Sequence, residues 1–137
     1  MNSAPILIID DDGEDREFIS DAWNDLEFKN PLLFFDNGND VLEYLANEQV
    51  NPFLIICDVN IPRMDGFELK QILLNNTNTR YRSIPFVFWS TQVSNAQIQK
   101  AYDLGVNGFF LKENNLNDLK QSLIDIVKYW KKSKTPD

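Results

Sequence analysis

Apolar residues along this chain follow two alternating rhythms. Short unbroken runs alternate with longer stretches whose apolar positions recur every three or four residues. The runs are Pro5-Ile6-Leu7-Ile8-Ile9, Leu32-Leu33-Phe34-Phe35, Phe53-Leu54-Ile55-Ile56-Cys57, Pro85-Phe86-Val87-Phe88-Trp89 and Gly108-Phe109-Phe110-Leu111. Each reads as a strand. A run that is apolar throughout predicts burial on both faces of a sheet. The periodic stretches read as helices. The first covers about 14–26, with Phe18, Ile19, Ala22, Trp23 and Leu26 facing inward. After the break at Asn37-Gly38, a second turns Val41, Leu42, Tyr44 and Leu45 inward. A third opens at Gly66, with Phe67, Leu69, Ile72 and Leu73 along its apolar side. A fourth covers about 95–104, and Gly105 is placed to end it in the left-handed conformation. The last covers about 116–132, with Leu119, Leu123, Ile126, Val127 and Trp130 on one side.

Five strand–helix alternations imply parallel strands joined by right-handed crossovers. The expected class is α/β, a five-stranded parallel sheet with helices on both faces. The length of 137 residues suits one domain, with a core over about 5–132 and a tail at 133–137.

What the strands end in matters more than the strands. The first runs into Asp10-Asp11, the third into Asp58, the fourth into Ser90-Thr91 and the fifth into Lys112. Ligands of open sheets sit beyond the carboxyl ends of the strands, where the winding reverses. In the order 2-1-3-4-5, strands 1 and 3 are adjacent at that point, so Asp10, Asp11 and Asp58 converge. Two like charges about 4 Å apart repel by roughly 4 kcal/mol at an effective dielectric near 20. A divalent cation turns that repulsion into coordination. Mg2+ suits the set, with Asp11 and Asp58 direct, Asp10 through water, and one main-chain carbonyl. A carboxylate beside such an ion can attack phosphorus. Lys112 can neutralise the phosphoryl oxygens and the Ser90 hydroxyl can donate to them.

Composition narrows the alternatives. A net charge of -8 argues against nucleic acid and anionic membrane as partners. The chain has no histidine, which removes His-based general bases, Ser-His-Asp triads and His-ligated zinc. One cysteine forms no internal disulfide, and no run approaches a membrane span or a signal peptide. The expected setting is cytoplasmic. Asp12, Glu14 and Asp15 read as acids favouring a helix N-terminus, with Asp12 a minor candidate for tuning the metal. Cys57 reads as inert core, Asp65-Gly66 as a turn and helix start, and Arg63 as a surface residue within reach of a kinase.

Four stretches carry a resemblance. They are Ile-Leu-Ile-Ile-Asp10-Asp11, Asp58-Val-Asn-Ile-Pro-Arg-Met-Asp-Gly66, Pro85 through Ser90-Thr91, and Leu104-Gly-Val-Asn-Gly-Phe-Phe-Leu-Lys112. In this order and spacing the chain resembles the receiver domain of two-component response regulators over nearly its whole length. The resemblance implies the flavodoxin-like (βα)5 fold and a stand-alone, CheY-like regulator, with no enzymatic activity beyond its own phosphorylation and slow autodephosphorylation. It implies that Asp58 accepts a phosphoryl group from a histidine kinase or phosphotransfer protein. It implies Mg2+ held by Asp11, Asp58 and the Asn60 carbonyl, with Asp10 acting through water. Lys112, Ser90 and Thr91 join Asp58 at the reacting centre, Ser90 and Phe109 form the switch, and Asn60 and Gln92 tune dephosphorylation. Neither of the last two is a base, so the aspartyl phosphate is expected to last minutes or longer. Phosphorylation is expected to reshape the surface of the fourth helix, fifth strand and fifth helix, for a partner or a second copy. The Asp-Val-Asn-Ile-Pro stretch is similar to stand-alone receivers paired with phytochrome-type kinases.

Three positions depart from the family's pattern. Glu113 follows Lys112 where proline in a cis bond is usual. A cis bond to a non-proline residue costs about 3 kcal/mol, so a trans bond and an altered loop are expected, with room for a shift of Lys112. Phe109 lacks the hydroxyl of the usual tyrosine. Thr91 stands where alanine is common and restricts the entry of water. Competing readings differ in kind. A phosphatase of the haloacid-dehalogenase type needs an acid two residues after its nucleophile, and Asn60 is not one. A pseudo-receiver, binding partners without phosphorylation, would not need the acid pocket, although Glu113 leaves that reading open, and a flavin-type site would need a Gly/Ser/Thr-rich loop after the first strand.

Overall fold

The computed structural model describes residues 3–47, 49–76 and 79–135. Five strands, β1 (Ile6–Ile9), β2 (Leu32–Phe35), β3 (Leu54–Asp58), β4 (Phe86–Ser90) and β5 (Gly108–Leu111), form one parallel sheet of order β2-β1-β3-β4-β5. The helices are α1 (Gly13–Asn24), α2 (Gly38–Leu45), α3 (Gly66–Asn75), α4 (Thr79–Ser83), α5 (Asn95–Asp103) and α6 (Leu116–Lys132).

Alternate strand residues face opposite sides of the sheet. Ile6, Ile8, Leu54, Ile56, Val87 and Trp89 pack against Ile19, Ala22 and Trp23 of α1 and Leu119, Leu123, Ile126 and Val127 of α6. Leu7, Ile9, Ile55, Cys57, Phe86 and Phe88 pack against α2, α3 and α5 through Val41, Leu45, Phe67, Leu69, Leu73 and Ala101. A fully buried Ile or Phe is worth about 1.5–3 kcal/mol over its exposed state, so these two layers carry the fold.

Side chains start most of the helices. Asp12, Asn37, Asp65, Ser94 and Asn115 each accept a backbone N–H of the first turn, and Asp65 and Glu68 form a reciprocal capping box. Past α5, Gly105 adopts a φ of 75°, the left-handed turn expected of it.

Several details differ from the pattern-based expectations. Leu26 lies beyond the end of α1, although it still packs against the core. On α3, Ile72 is exposed and Lys70 lies in the buried stripe instead. Lys70 falls one position after Leu69 and three before Leu73, so the helical period turns it inward. Its amine lies 5.4 Å from the centroid of the Phe86 ring, and burial lowers its pKa. The unexpected α4 is one short turn with no apolar period to announce it. Its Tyr81 hydroxyl donates to the Leu45 carbonyl at 3.0 Å. β2 is half-buried along its length because it is an edge strand. The last two residues of the expected tail lie outside the described residues. Among the described residues, no helix is long and apolar enough to cross a membrane.

Candidate functional site

The alternation that builds the core also gathers the charged residues. Asp10 continues the parity of Ile6 and Ile8, Asp58 that of Leu54 and Ile56, and Lys112 that of Phe110, which packs in the same layer. All three therefore emerge on the α1/α6 side, at the carboxyl ends of β1, β3 and β5. Ser90 and Phe109 have the opposite parity and share the other side with Phe88.

Lys112 is the centre of the cluster. Its Nζ donates to Asp10 Oδ2 at 2.5 Å, Asp58 Oδ2 at 2.8 Å and Asp15 Oδ2 at 2.9 Å. The remaining oxygens are also held. Asp10 Oδ1 accepts the Asp12 N–H at 2.9 Å, and Asp58 Oδ1 accepts the Asn60 N–H at 3.0 Å. Asp10 and Lys112 are buried, Asp58 is partly open, and Asp11 is exposed beside them.

Desolvation raises the pKa of Asp10 despite its bond to Lys112. Burial alone would lower the pKa of Lys112, but Asp10 and Asp58 together outweigh it and raise it. Loss of a proton is disfavoured at both groups, at Asp10 by burial and at Lys112 by the two acids it bonds. Such a pocket favours any added positive charge. Its donors are all oxygen, which fits a hard divalent ion. Among the described residues, no three acids, histidines or cysteines are already gathered in a metal-holding arrangement. Lys112 stands between the acids, in a cation's place.

The other expected residues are close by in the fold. The Ser90 hydroxyl is buried and accepts the Gln92 N–H at 3.3 Å. Thr91, Gln92 and Asn60 are exposed on the loops around the pocket. Phe109 is half-buried, its ring 6.1 Å from that of Phe88. No peptide bond among the described residues is cis, the one before Glu113 included. The Lys112 N–H donates to Ser90 O at 2.8 Å, and the side chain reaches Asp58 all the same. Burial, then the acids nearby, raises the Cys57 thiol pKa well above its ordinary value, and its Sγ donates to Asp58 O. It is buried in the core, as expected.

Two participants escaped the sequence reading. Asp15, read as a helix-dipole acid, binds Lys112. Arg16 donates from Nε to Asp10 O at 2.7 Å, and its guanidinium pairs with Asp36 at the end of β2. Both stand on α1, and only the layer arrangement reveals what they meet. Asp12 is the cap of α1, accepting from Glu14 and Asp15.

The backbone also brings α3 against the end of β3. The Gly66 N–H donates to Val59 O at 2.9 Å. A Cβ on Gly66 would lie 2.7 Å from Phe88 Cε1 and 2.8 Å from Asp58 O, so only glycine fits this approach.

Comparison with known proteins agrees with this geometry. Residues 6–124 match the model of the response regulator receiver domain. A probable methanogenesis regulatory protein, FilR2 of Methanothrix harundinacea, is 29% identical over 91% of this chain and 82% of its own. A probable chemotaxis protein CheY of Rhizobium etli is 29% identical over 86% of this chain and 88% of its own. The crystal structure of the phosphorylated cyanobacterial phytochrome response regulator RcpA superposes with a TM-score of 0.85. It is 27% identical, over 98% of this chain and 99% of that one. With the sheet order, the strand-end acids and the lysine among them all in place, this chain belongs to the response regulator receiver domains, the phosphorylation-dependent signalling modules of two-component systems.

Proposed function

We propose that this protein is a signalling switch turned on by transfer of a phosphoryl group to Asp58 from a histidine kinase or phosphotransfer protein. The observation that carries this reading is the convergence of Asp10, Asp58 and Lys112 from three strands onto one nitrogen. Asp10 is sealed and Asp11 is exposed, while Asp58 is partly open and also bonded to Lys112, so a donor can approach Asp58 where the ammonium meets the incoming group. Its carboxylate is held on both sides, by the Asn60 N–H and by Lys112, which fixes its orientation before the donor arrives.

The transfer balances simply. An Asp58 oxygen attacks phosphorus, an O–P bond forms, and the P–N bond to the donor imidazole breaks. The imidazole, already protonated on its other nitrogen, leaves with that electron pair as the neutral ring. Lys112 neutralises charge on the phosphoryl oxygens. Ser90, from the neighbouring strand, donates its hydroxyl to one of them. Asp10, Asp11, Asp58 and the Asn60 carbonyl would hold Mg2+, which when bound supplies further charge neutralisation there. Asn60 and Gln92 orient water without deprotonating it, so the phosphoryl group is lost slowly. The chain catalyses nothing beyond its own phosphorylation and that loss.

Phosphorylation shifts an existing balance between two arrangements of Ser90 and Phe109. The fourth expected helix is α5 and the fifth is α6, so the responding surface is α5–β5–α6. Its elements carry the exposed side chains Tyr102, Leu111, Leu116 and Tyr129. Likeness to RcpA, a phytochrome response regulator crystallised in its phosphorylated form, supports this reading and suggests a phytochrome-type kinase upstream.

The test is incubation with Mg2+ and acetyl phosphate, followed by intact mass measurement of wild type and Asp58→Asn. Wild type gains one phosphoryl group and the variant gains none. No gain in wild type, or equal gain in both, contradicts the reading.

A further inference from the structure

Lys112 spends all three of its N–H donors on carboxylates, and the three differ in origin. Asp10 and Asp58 end strands and belong to the expected cation set. Asp15 belongs to helix α1 and does not. Its side chain is 38% exposed against 1% for Asp10, so holding its charge costs little desolvation.

A divalent ion held by Asp10 and Asp58 takes the lone pairs that now face Lys112. The ion's charge also repels the ammonium. Two of the three contacts are weakened together. Lys112 has little freedom to leave for water. Its side chain is 5% exposed, its N–H is tied to Ser90, and its Nζ lies 5.9 Å from the centroid of the buried Trp89 ring. Beside it runs a narrow cleft lined by Asp15, Phe18, Ile19, Lys112, Glu113 and Leu119. Asp15 stands at this cleft, with its backbone N–H anchored on the Asp12 cap.

We propose that Asp15 is a positioning residue. It holds the Lys112 ammonium to the side when a divalent cation claims Asp10 and Asp58, which admits the cation and keeps the lysine within reach of an arriving phosphoryl group. This inference rests on the reading of Asp58 and Mg2+ given above.

Without the Asp15 carboxylate, Lys112 clings to Asp10 and Asp58 and competes with the ion. Asp15→Asn therefore weakens Mg2+ binding by about tenfold, the usual scale for residues that orient a metal's own ligands. Asp15→Glu, one methylene longer, restores most of the affinity. Glu14→Gln removes the same charge from the same turn without touching Lys112, and changes affinity by less than about twofold.

The experiment is a calorimetric titration of the four proteins with Mg2+ alone, with NMR of the Lys112 ammonium in the Mg2+-loaded state. The ammonium protons stay protected from solvent exchange in wild type and Asp15→Glu and lose that protection in Asp15→Asn. Unchanged affinity in Asp15→Asn, or an equal loss in Glu14→Gln, overturns the role of Asp15 and leaves the phosphoacceptor reading standing. A wild type that binds no Mg2+ removes that reading and this inference together. A wild type that binds Mg2+ but takes no phosphoryl group overturns the reading alone.

Discussion

Asp10 shows how a candidate site residue works against the stability of its own fold. It is fully buried, and desolvation raises its pKa above the ordinary 3.8 even with Lys112 bonded to it. A carboxyl that holds its proton more tightly when folded costs stability once it ionises. The cost is absent below the ordinary carboxylate range and grows as pH rises through the raised folded value. In metal-free buffer at neutral pH, Asp10→Asn is therefore expected to stabilise the protein, by on the order of 1 kcal/mol. Urea midpoints of both proteins across pH check this, and the gain should shrink toward zero as pH falls below the carboxylate range. Destabilisation at neutral pH would show that the bond to Lys112 outweighs desolvation. Asp10, Asp58, Ser90 and Lys112 were legible in the sequence because each interrupts or ends an apolar run. Asp15 was not, because its contact depends on which face of the sheet α1 covers.

The elements depend on close backbone approach as much as on side chains. The start of α3 lies against β3, and Gly66 sits where a Cβ would meet Asp58 O and a Phe88 ring carbon. Gly66→Ala is expected to cost about 1–3 kcal/mol by overpacking. Three residues earlier Arg63 holds a φ of 68°, a left-handed conformation that disfavours side chains. Arg63→Gly is expected to gain about 0.5–1 kcal/mol, the relief of that strain less the greater unfolded freedom of glycine. Denaturant midpoints at constant slope test the pair, which should move in opposite directions. Element type was readable from the period of apolar residues, and most helix starts from their capping side chains. Periodicity could not announce α4, which has five residues and no apolar stripe. It also misplaced Ile72 and Lys70, because a lysine stem can lie along the core while its amine sits over an aromatic ring.

For the whole molecule, strand order was legible because alternating elements admit few windings. Burial of the edge strand was not, because an apolar run looks the same at the edge as in the centre. The parallel sheet has two ends with different tasks. Its carboxyl end collects charge, and the proposed switch residues stand on the neighbouring strands, Ser90 at the end of β4 beside Asp58 and Phe109 on β5. Phosphorylation at Asp58 is thus expected to be read on the α5–β5–α6 surface. Size measurement of the phosphorylated and unphosphorylated protein, alone and with candidate partners, is expected to show a change in self-association or in partner binding. No change in either would remove the switching part of the account.

The central claim is that the phosphoryl group is carried as an acyl phosphate on one aspartate. Borohydride reduces an aspartyl phosphate to homoserine, which marks the site permanently. After phosphorylation, reduction and proteolysis, mass spectrometry should find homoserine at position 58 and at no other acid. Homoserine at position 10 or 11, or none anywhere in a protein that had gained a phosphoryl group, would contradict the account.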